Sequence, residues 1–578
     1  MTNRKILLHG CAVFLAAFLF IFACWVGLPA DFNSDHITTN VRGADATSYG
    51  ELLQLTLDPR TPAWFYPSTV YMEYLRPLQF MWMKFYFDRF GSSLVPFHVT
   101  AAIGTGFLSA VFFGLIYVWT GSFLLGWLAA FLYMSFPSNF FTLISTFSGD
   151  FQPYLSVMII TALLVFSRLT FGRFKSWPAF LLGMLVWITP IWLSIKIKSS
   201  EKIIPFICLA FLIWRYGEIR KRISTARIGA LILAIAGMMV LVVPTGSFKD
   251  WVPEDRRSSF TEAPAETGAK ELTGKDKQTF SFQWKNMLQR SFFVEGEDFS
   301  LIAPYREETP KSFTGNYGFF LGWLFWIAIL LTVGWLSRLQ LLGPPGNSKV
   351  SDQLINDLWI LFIWFAATIA GFANGLSVHD TRFLNFAYVP SILLLFTITG
   401  IGLRMLSSEK KRRIFLAVLT AMVLCTGFQN YGFYSKLLMH YGGMQAALVR
   451  AETDVYQAVN GKTAHGWELY RSHPDLERQK MVIDWYELPA DWLETAKEKL
   501  AKEGEIYFYT RSEDSERLKK LREAGLNAEL WKRYNFVDAE PLAFRLAKTI
   551  QNLKLKIRGK AKRHEILIYR IPASRIAS

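Results

Sequence analysis

The sequence predicts a mainly α, polytopic membrane protein that ends in a small extracytoplasmic α/β domain. The first observation is composition: 52% of the 578 residues are hydrophobic, 16% are aromatic and only 19% are charged. Soluble domains of this length are rarely so apolar. The second observation is a recurrence of apolar runs as long as a bilayer is thick. The third is that basic residues fall in short loops between those runs, as they do in the cytoplasmic loops of membrane proteins.

The apolar runs predict about eleven transmembrane helices, because a helix needs about 20 residues to cross about 30 Å of hydrocarbon. The predicted spans are residues 6–28, 95–119, 123–136, 151–166, 177–195, 203–214, 228–243, 317–336, 358–373, 383–403 and 414–428. The first span follows Arg4 and Lys5 and lacks a small-residue cleavage site. We therefore interpret it as a retained anchor and not as a removed signal peptide.

Charge predicts the orientation of these spans. An odd number of spans that starts inside places Arg173, Lys175 and the basic run 410–413 in the cytoplasm, in agreement with the positive-inside rule. The same parity places the loops 29–94 and 245–316, and everything after residue 429, outside. We therefore predict a transmembrane domain over 1–430 and an extracytoplasmic domain over 431–578, in the inner (cytoplasmic) membrane of a bacterium, with the N-terminus in the cytoplasm. No outward segment carries an Asn-x-Ser/Thr acceptor, which agrees with that location.

The region after residue 431 reads as a small α/β domain. Residues 481–486, 506–509 and 566–569 have the apolar and aromatic content of strands, and charged runs over 490–502 and 515–524 are typical of helices. The region contains neither a Gly-rich phosphate loop nor the spacing of metal ligands. We interpret it as a binding or stabilising appendage.

Net charge and cysteines exclude two other classes of protein. The formal charge of +16 is compatible with nucleic-acid binding, but the basic residues largely occupy loops between apolar spans, so we expect no nucleic-acid partner. All four cysteines lie within apolar runs, where they behave as small hydrophobic side chains. A disulfide framework or a zinc site is therefore not indicated.

Ionisable residues gather at the outward ends of the predicted spans. A charge at the bilayer centre costs about 2.5 to 3.5 kcal/mol on insertion scales, and a shared position on one face indicates a function. The segments concerned are Asp31-Phe32-Asn33-Ser34-Asp35-His36, Tyr74-Leu75-Arg76-Pro77-Leu78, Pro96-Phe97-His98, Ser148-Gly149-Asp150, Ser199-Ser200-Glu201-Lys202 and His379-Asp380-Thr381-Arg382.

In this order and on one side, these motifs, apart from Ser148-Gly149-Asp150, resemble those of the GT-C superfamily of glycosyltransferases that use a polyprenyl-phosphate-linked sugar. The likeness covers most of the membrane region and stops before the C-terminal domain. The chain departs from the pattern in two places: it has Asp35-His36 where many relatives have Asp-Glu, and Ser200-Glu201 where relatives often have Lys-Glu. The second departure leaves Lys196, Lys198 or Lys202 as substitutes for the lysine.

The resemblance implies an inverting glycosyltransferase with a GT-C-like fold. A lipid phosphate is an acidic leaving group, so one base and a phosphate clamp suffice, unlike the carboxylate pair of glycoside hydrolysis. Asp35 is the candidate base, with Asp31 as its replacement. Arg382, followed by Arg76, is the candidate phosphate ligand, because a guanidinium offers paired donors and stays charged.

The remaining candidates have weaker signals. Glu201, Lys202 and His379 are candidate substrate contacts, and Asp150 is a candidate second acidic residue that binds a divalent cation, Mg²⁺ or Mn²⁺, with Asp35. Each has a structural alternative: Asp150 as a helix cap, and Glu201 with Lys202 as a local ion pair. For Arg76 and Arg382 the alternative is snorkelling to the interface or pairing with a neighbouring carboxylate.

The expected partners are a polyprenyl-phosphate sugar donor, the surrounding membrane lipid, and an acceptor that is a glycan, a lipid or a protein hydroxyl. Two competing functions remain open. A transporter or flippase of a lipid-linked glycan needs ionisable residues or broken helices near the middle of its spans. A structural or assembly protein needs none of the outward charges.

Overall fold

The structure is a computed structural model that describes the helical bundle and most of the C-terminal sheet. The described residues are 3–25, 48–57, 76–90, 95–135, 151–197, 203–242, 351–375, 381–424 apart from 407, 481–483, 492–537 and 563–572, with isolated positions at 334, 427 and within 451–458. The predicted outer loop 245–316 lies outside them, as does almost all of the predicted span 317–336.

The described chain is mostly helical up to residue 424, with a small sheet near the C-terminus. Residues 409–424 form a further helical run. The helices before the sheet are α1 (Asn3–Trp25), α2 (Tyr49–Leu57), α3 (Pro77–Phe90), α4 (Val95–Thr120), α5 (Phe123–Met134), α6 (Gln152–Thr170), α7 (Trp177–Ile197), α8 (Ile204–Arg222), α9 (Thr225–Val242), α10 (Asp352–Gly375) and α11 (Thr381–Met405).

Five of these helices, α1, α4, α6, α7 and α11, are long and apolar enough to cross a membrane, and α5 and α9 contain shorter apolar stretches. The membrane character predicted from composition is thereby supported, and each of the five lies on a predicted span. The full count of about eleven spans stays a prediction. Helix α8 ends in Arg220, Lys221 and Arg222, so its apolar part is short.

Helices that are joined by short described turns run in opposite directions, so the bundle has two distinct ends. At one end, here called the basic end, α4, α6, α8 and α11 finish and α5, α7, α9 and α10 begin. Gly121 and Gly172 make the turns there with φ of +67° and +75°, a conformation that favours glycine. A Cβ on Gly172 would also lie 2.8 Å from the carbonyl oxygen of Arg222, so the turn packs against the end of α8.

The opposite end, here called the α3 end, holds the starts of α4, α6, α8 and α11 and the ends of α7 and α10. Helices α2 and α3 lie at this end: Tyr86 of α3 hydrogen-bonds Thr100 in α4, and Leu78 of α3 packs near Phe151 at the start of α6. The aromatic-rich residues 77–90 form α3, while residues 64–75 lie outside the described chain.

The core of the bundle is aromatic and closely packed. Its largest fully buried side chains include Tyr133, Trp187 and Trp364. Small residues allow helices to approach one another: a Cβ on Gly400 of α11 would overlap Thr120 of α4, and one on Gly126 of α5 would lie 2.7 Å from the Phe113 ring of α4. Two helices contain an internal proline, Pro190 in α7 and Pro390 in α11.

The C-terminal domain is a four-stranded sheet with two helices. Its strands are β1 (Met481–Ile483), β2 (Glu505–Thr510), β3 (Glu529–Val537) and β4 (Arg563–Pro572), in the order β1-β2-β4-β3. Strands β1 and β2 are parallel, and the other two pairings are antiparallel. Helices α12 (Trp492–Glu503) and α13 (Glu516–Glu523) pack on one face through Leu500, Leu518 and Leu521. The three predicted strands and both predicted helices have counterparts here, and β3 is an additional strand.

Candidate functional site

The described residues include only part of the candidate site predicted from sequence. Arg76 is described with its side chain, and Arg382 is described by its backbone in the first turn of α11. The other candidates lie outside the described residues: Asp31, Asp35, Asp150, Glu201, Lys202 and His379.

Arg76 immediately precedes α3. Its carbonyl oxygen accepts the first hydrogen bond of that helix, from Phe80 N–H at 3.1 Å. Pro77 is the first helical residue, where the missing N–H costs nothing and the fixed φ suits a helix. Arg76 is half-buried, while Phe80 and Met83 on the same helix are buried against the bundle. The local sequence thus holds the guanidinium at the edge of the bundle.

A small apolar cluster joins this segment to two other helices. Leu78 of α3 packs with Phe151 and Leu155 of α6 and with Ile197 at the end of α7. The Trp82 ring lies edge-on to Phe151, with 6.1 Å between centroids. Phe151 directly follows Asp150, and Ile197 precedes Glu201 by four positions. Described residues next to three of the six segments that sequence analysis singled out thus meet at the α3 end.

Lys196, a substitute for the lysine of the family pattern, is buried at the same end. Only 2% of the residue is exposed, its Nζ donates a hydrogen bond to the Leu55 carbonyl of α2 at 3.0 Å, and Nζ lies 4.9 Å from the centroid of the Trp192 ring. A carbonyl and an aromatic face both stabilise an ammonium ion. The structure therefore places a second cation next to the segment that carries Arg76.

Helix α2 is fastened to α3 at the surface. Tyr49 Oη donates a hydrogen bond to Asp88 at 2.8 Å, and Lys84 Nζ lies 5.3 Å from the Tyr49 ring centroid. Burial, together with the hydrogen bond and the charge of Asp88, raises the pKa of Tyr49 to about 12. Tyr49 is therefore a neutral donor, and it fixes α2 above Lys196.

Arg382 begins α11 at the same end of the bundle as Arg76. The other end of that helix is located by Arg404, which lies against Gly121 at the basic end. A helix of 25 residues is about 37 Å long, so its first turn is at the α3 end. His98, in the Pro96-Phe97-His98 segment, is buried in the first turn of α4.

A second polar cluster, at the basic end, was not anticipated from the sequence. The Asp357 carboxylate in α10, 1% exposed, accepts hydrogen bonds from Ser167 at 2.7 Å, from both terminal nitrogens of Arg168 at 3.2 Å and from Gln353 at 2.9 Å. Bidentate pairing with full satisfaction of the carboxylate is the geometry that makes a buried ion pair tolerable. The cluster therefore fastens α6 to α10.

Close to this cluster, a cavity of about 130 Å³ opens between α6, α8 and α10. Its lining includes Thr170, Arg215, Glu218, Arg222, Asp352 and Asn356. Arg215 is 6% exposed and donates from Nε to Asn356 Oδ1 at 3.1 Å. At the rim, Arg222 pairs with Asp352 at 2.7 Å.

Within the part of the chain that the structure describes, no three His, Cys, Asp or Glu side chains lie close enough to share a metal ion. The divalent-cation hypothesis concerns Asp35 and Asp150, which lie outside that part, and it stays a prediction. No protein-family model matches this chain, and no curated protein matches its sequence.

Proposed function

We propose that this protein is an inverting, integral-membrane glycosyltransferase that uses a polyprenyl-phosphate-linked sugar. The observation that carries the proposal is the location of Arg76 and of the first turn of α11, with Arg382, at one end of the bundle. Lys196 adds a buried cation at that end. The order of the motifs and their resemblance to the GT-C pattern supply the reaction.

In the proposed reaction an acceptor hydroxyl oxygen attacks the anomeric carbon of the sugar. Its proton passes to the Asp35 carboxylate, a new C–O bond forms, and the bond between the anomeric carbon and the phosphate oxygen breaks. Polyprenyl phosphate leaves with the electron pair of that bond. Arg382 and Arg76 neutralise the phosphate charge that develops, which is where fixed cations are worth most. Glu201, Lys202 and His379 orient the sugar or the acceptor. If the reaction uses a divalent cation, Asp35 and Asp150 would hold it.

The α3 end suits a lipid-linked donor for a second reason. Exposed aromatic side chains of α3, including Trp82 (44% exposed) and Phe85 (50%), accompany the half-buried Arg76. Amphipathic aromatic helices lie at the boundary between headgroups and acyl chains. A polyprenyl chain that remains in the bilayer can therefore deliver its phosphate to this end without leaving the lipid.

The test is transfer from a panel of undecaprenyl-phosphate hexoses and pentoses, each radiolabelled in the sugar, by the purified full-length protein in proteoliposomes that contain native membrane extract as acceptor. We expect label from one donor to enter the extract. Asp35→Asn should reduce transfer at least about 100-fold, because the base is lost. Asp514→Asn, an exposed residue of the C-terminal domain, is the matched control and should retain transfer.

The alternative is a transporter or flippase of a lipid-linked glycan. Among the described residues, the buried charged groups Lys196, Arg215 and Asp357 all lie within about two turns of a helix end, as does Arg168, the partly exposed partner of Asp357. A transport site near mid-depth finds no support there. Translocation of a fluorescent lipid-linked glycan without covalent transfer of any labelled sugar would reject the enzyme and favour this alternative.

A further inference from the structure

The cavity at the basic end contains a buried cation, Arg215, that makes no direct ion pair with the described residues. Among those residues Arg215 makes no ion pair, and its Nη1 is buried without a hydrogen-bond partner. The two carboxylates of the lining already have cationic partners: Glu218 pairs with Lys221 at 3.0 Å and Asp352 with Arg222 at 2.7 Å.

A buried guanidinium cannot relieve this by losing its proton, because arginine stays charged in proteins. Leaving such a group uncompensated is strongly unfavourable, and the compensation is an anion or ordered water. The cavity beside Arg215 has room for either, since its volume of about 130 Å³ exceeds the volume that several water molecules need. Asn356, whose carbonyl oxygen accepts from Arg215 Nε, orients the guanidinium beside the cavity.

The side chains around the cavity place it at the depth of lipid headgroups. Trp214 and Tyr216, on either side of Arg215 in α8, are 56% and 49% exposed, and Trp177, which begins α7 at this end, is 45% exposed. Tryptophan and tyrosine concentrate at the boundary between hydrocarbon and water. Basic pockets between helices at that depth bind the headgroups of anionic lipids.

We infer that this cavity binds a phosphate group through Arg215, carried by an anionic lipid headgroup or by a soluble phosphate compound. A phosphate fits this cavity because the Arg215 guanidinium has an unpartnered donor at its base and the exposed Arg222 lies at its rim. The position among exposed aromatics favours the lipid as the source. This inference does not rest on the glycosyltransferase proposal, because the cavity lies at the other end of the bundle.

The experiment measures the thermal unfolding midpoint of the purified full-length protein in neutral detergent, titrated separately with phosphatidylglycerol, phosphatidylcholine and inorganic phosphate. A ligand that binds only the folded state stabilises it by an amount that rises with the logarithm of one plus the ratio of ligand concentration to dissociation constant, so a tighter ligand gives the same shift at a lower concentration. For the wild-type protein we expect phosphatidylglycerol to half-saturate at a concentration at least about tenfold below that of phosphatidylcholine. Equal effects of the two lipids, with no effect of phosphate, would overturn the inference and leave water in the cavity.

Substitutions at Arg215 test whether phosphatidylglycerol stabilises the protein by binding in the cavity. Arg215→Gln should raise the half-saturating concentration of phosphatidylglycerol at least about tenfold, because a charge-assisted pair is lost. Arg220→Gln removes the same charge from an exposed position of the same helix, outside the cavity, and should change it less than about twofold. Arg215→Lys, which keeps the charge, serves if the glutamine variant does not fold, and an intermediate loss is expected. An Arg215 variant that folds and binds like the wild type would refute the site.

The phosphate titration separates the two sources. If inorganic phosphate stabilises the protein with the same dependence on Arg215, and phosphatidylglycerol adds nothing beyond it, the ligand is a soluble phosphate compound. If only the lipid acts through Arg215, the acyl chains contribute and the ligand is a headgroup.

Discussion

The two ends of the helical bundle handle charge in different ways. At the basic end, Asp357 and Arg168 neutralise each other inside the bundle, and Ser167 and Gln353 complete the hydrogen bonding. At the α3 end, Lys196 donates a hydrogen bond to the Leu55 carbonyl and lies over the Trp192 ring. The mutually satisfied pair at the basic end fastens helices, whereas the cations at the α3 end include Arg76 and Arg382, which the proposed function assigns to the phosphate of the donor. The comparison separates a structural end from a candidate reactive end.

The largest effect is expected from breaking the Asp357 cluster. Asp357→Leu removes the buried carboxylate that accepts from Ser167, Gln353 and the partly exposed Arg168, which should lower the free energy of unfolding by about 3 kcal/mol. The measurement is the unfolding midpoint of the purified protein in detergent, followed by tryptophan emission. The control is Asp352→Asn at the same end, which removes the exposed pair with Arg222 and should cost less than about 1 kcal/mol.

The double variant Arg168→Met with Asp357→Leu sharpens this result. Replacing both charges with apolar groups should recover most of the loss, because a buried pair owes little net stability to its charges. If Asp357→Leu is no more destabilising than Asp352→Asn, the view of the basic end as a structural fastening is wrong.

A substitution at the α3 end should lower the transfer rate and leave stability nearly unchanged, which is the opposite of the result expected for Asp357→Leu. We expect Arg76→Gln to reduce transfer about 10- to 100-fold, as expected for loss of a charged phosphate contact, and to change the unfolding midpoint little. Both rate and midpoint are measured on the same preparation. Arg89→Gln, an exposed residue near the end of the same helix, should retain full transfer. A loss of stability without a selective loss of rate would make Arg76 structural.

A substitution that disturbs helix packing at the basic end should also destabilise the protein, by less than Asp357→Leu does. Gly400→Ala should cost about 1 to 3 kcal/mol, because the added methyl overlaps Thr120 and forces α4 and α11 apart. Gly402→Ala is two positions away in the same helix and has nothing within 4 Å of the added atom, so its stability should match or exceed the wild type. Circular dichroism melts of both variants decide the matter, and similar melts would argue against this helix contact.

The smallest effect is expected from a partly exposed ion pair in the C-terminal domain. Asp454 pairs with Lys532 at 2.9 Å and accepts a hydrogen bond from Tyr534 at 2.5 Å. Burial disfavours the carboxylate, but the hydrogen bonds from Lys532 and Tyr534 and the charge of Lys532 outweigh it, so the pKa of Asp454 is lowered. The stabilisation is present above the ordinary aspartate pKa of about 4 and is lost as pH falls through the lowered value.

Asp454→Asn should therefore be less stable than the wild type by under about 1 kcal/mol at pH 7, and the difference should shrink as pH falls below about 4 through the lowered pKa. Denaturant titrations of the full chain between pH 3 and 7, followed by circular dichroism, test this. Glu498→Gln, at an exposed carboxylate on α12, is the control and should have the stability of the wild type. A difference that does not shrink between pH 7 and pH 3 would mean that Asp454 acts through packing and not through charge.

The sequence predicted the helices well because apolar runs of bilayer length have few alternatives. Strand β3 was missed because it is an edge strand interrupted by the consecutive charged residues Lys532 and Arg533, so no apolar run marks it. Edge strands commonly carry such charges. Helix α2 was missed for a related reason: it is nine residues long and buries only Leu52 and Thr56.

The candidate site was predicted from local motifs, and the basic-end cluster could not be. Asp357 lies one residue before a predicted span, which made it look like an ordinary interfacial residue. Its partner Arg168 is 189 positions away in the chain, and only the packing of α6 against α10 reveals the pair. The available hint was Gln353, one helical turn before Asp357 and on the same face.

Two helices of the bundle, α7 and α11, contain an internal proline at a similar depth. Pro190 lies seven residues before the end of α7, and Pro390 lies nine residues after the start of α11, so both sit two to three turns below the α3 end. Each removes one rung from its helix's hydrogen-bond ladder. Bending stiffness is lowest at that depth in both helices. The helix ends that carry Lys196 and Arg382 can therefore bend at the depth of the two prolines. The Asp357–Arg168 ion pair at the basic end keeps its geometry during such a movement.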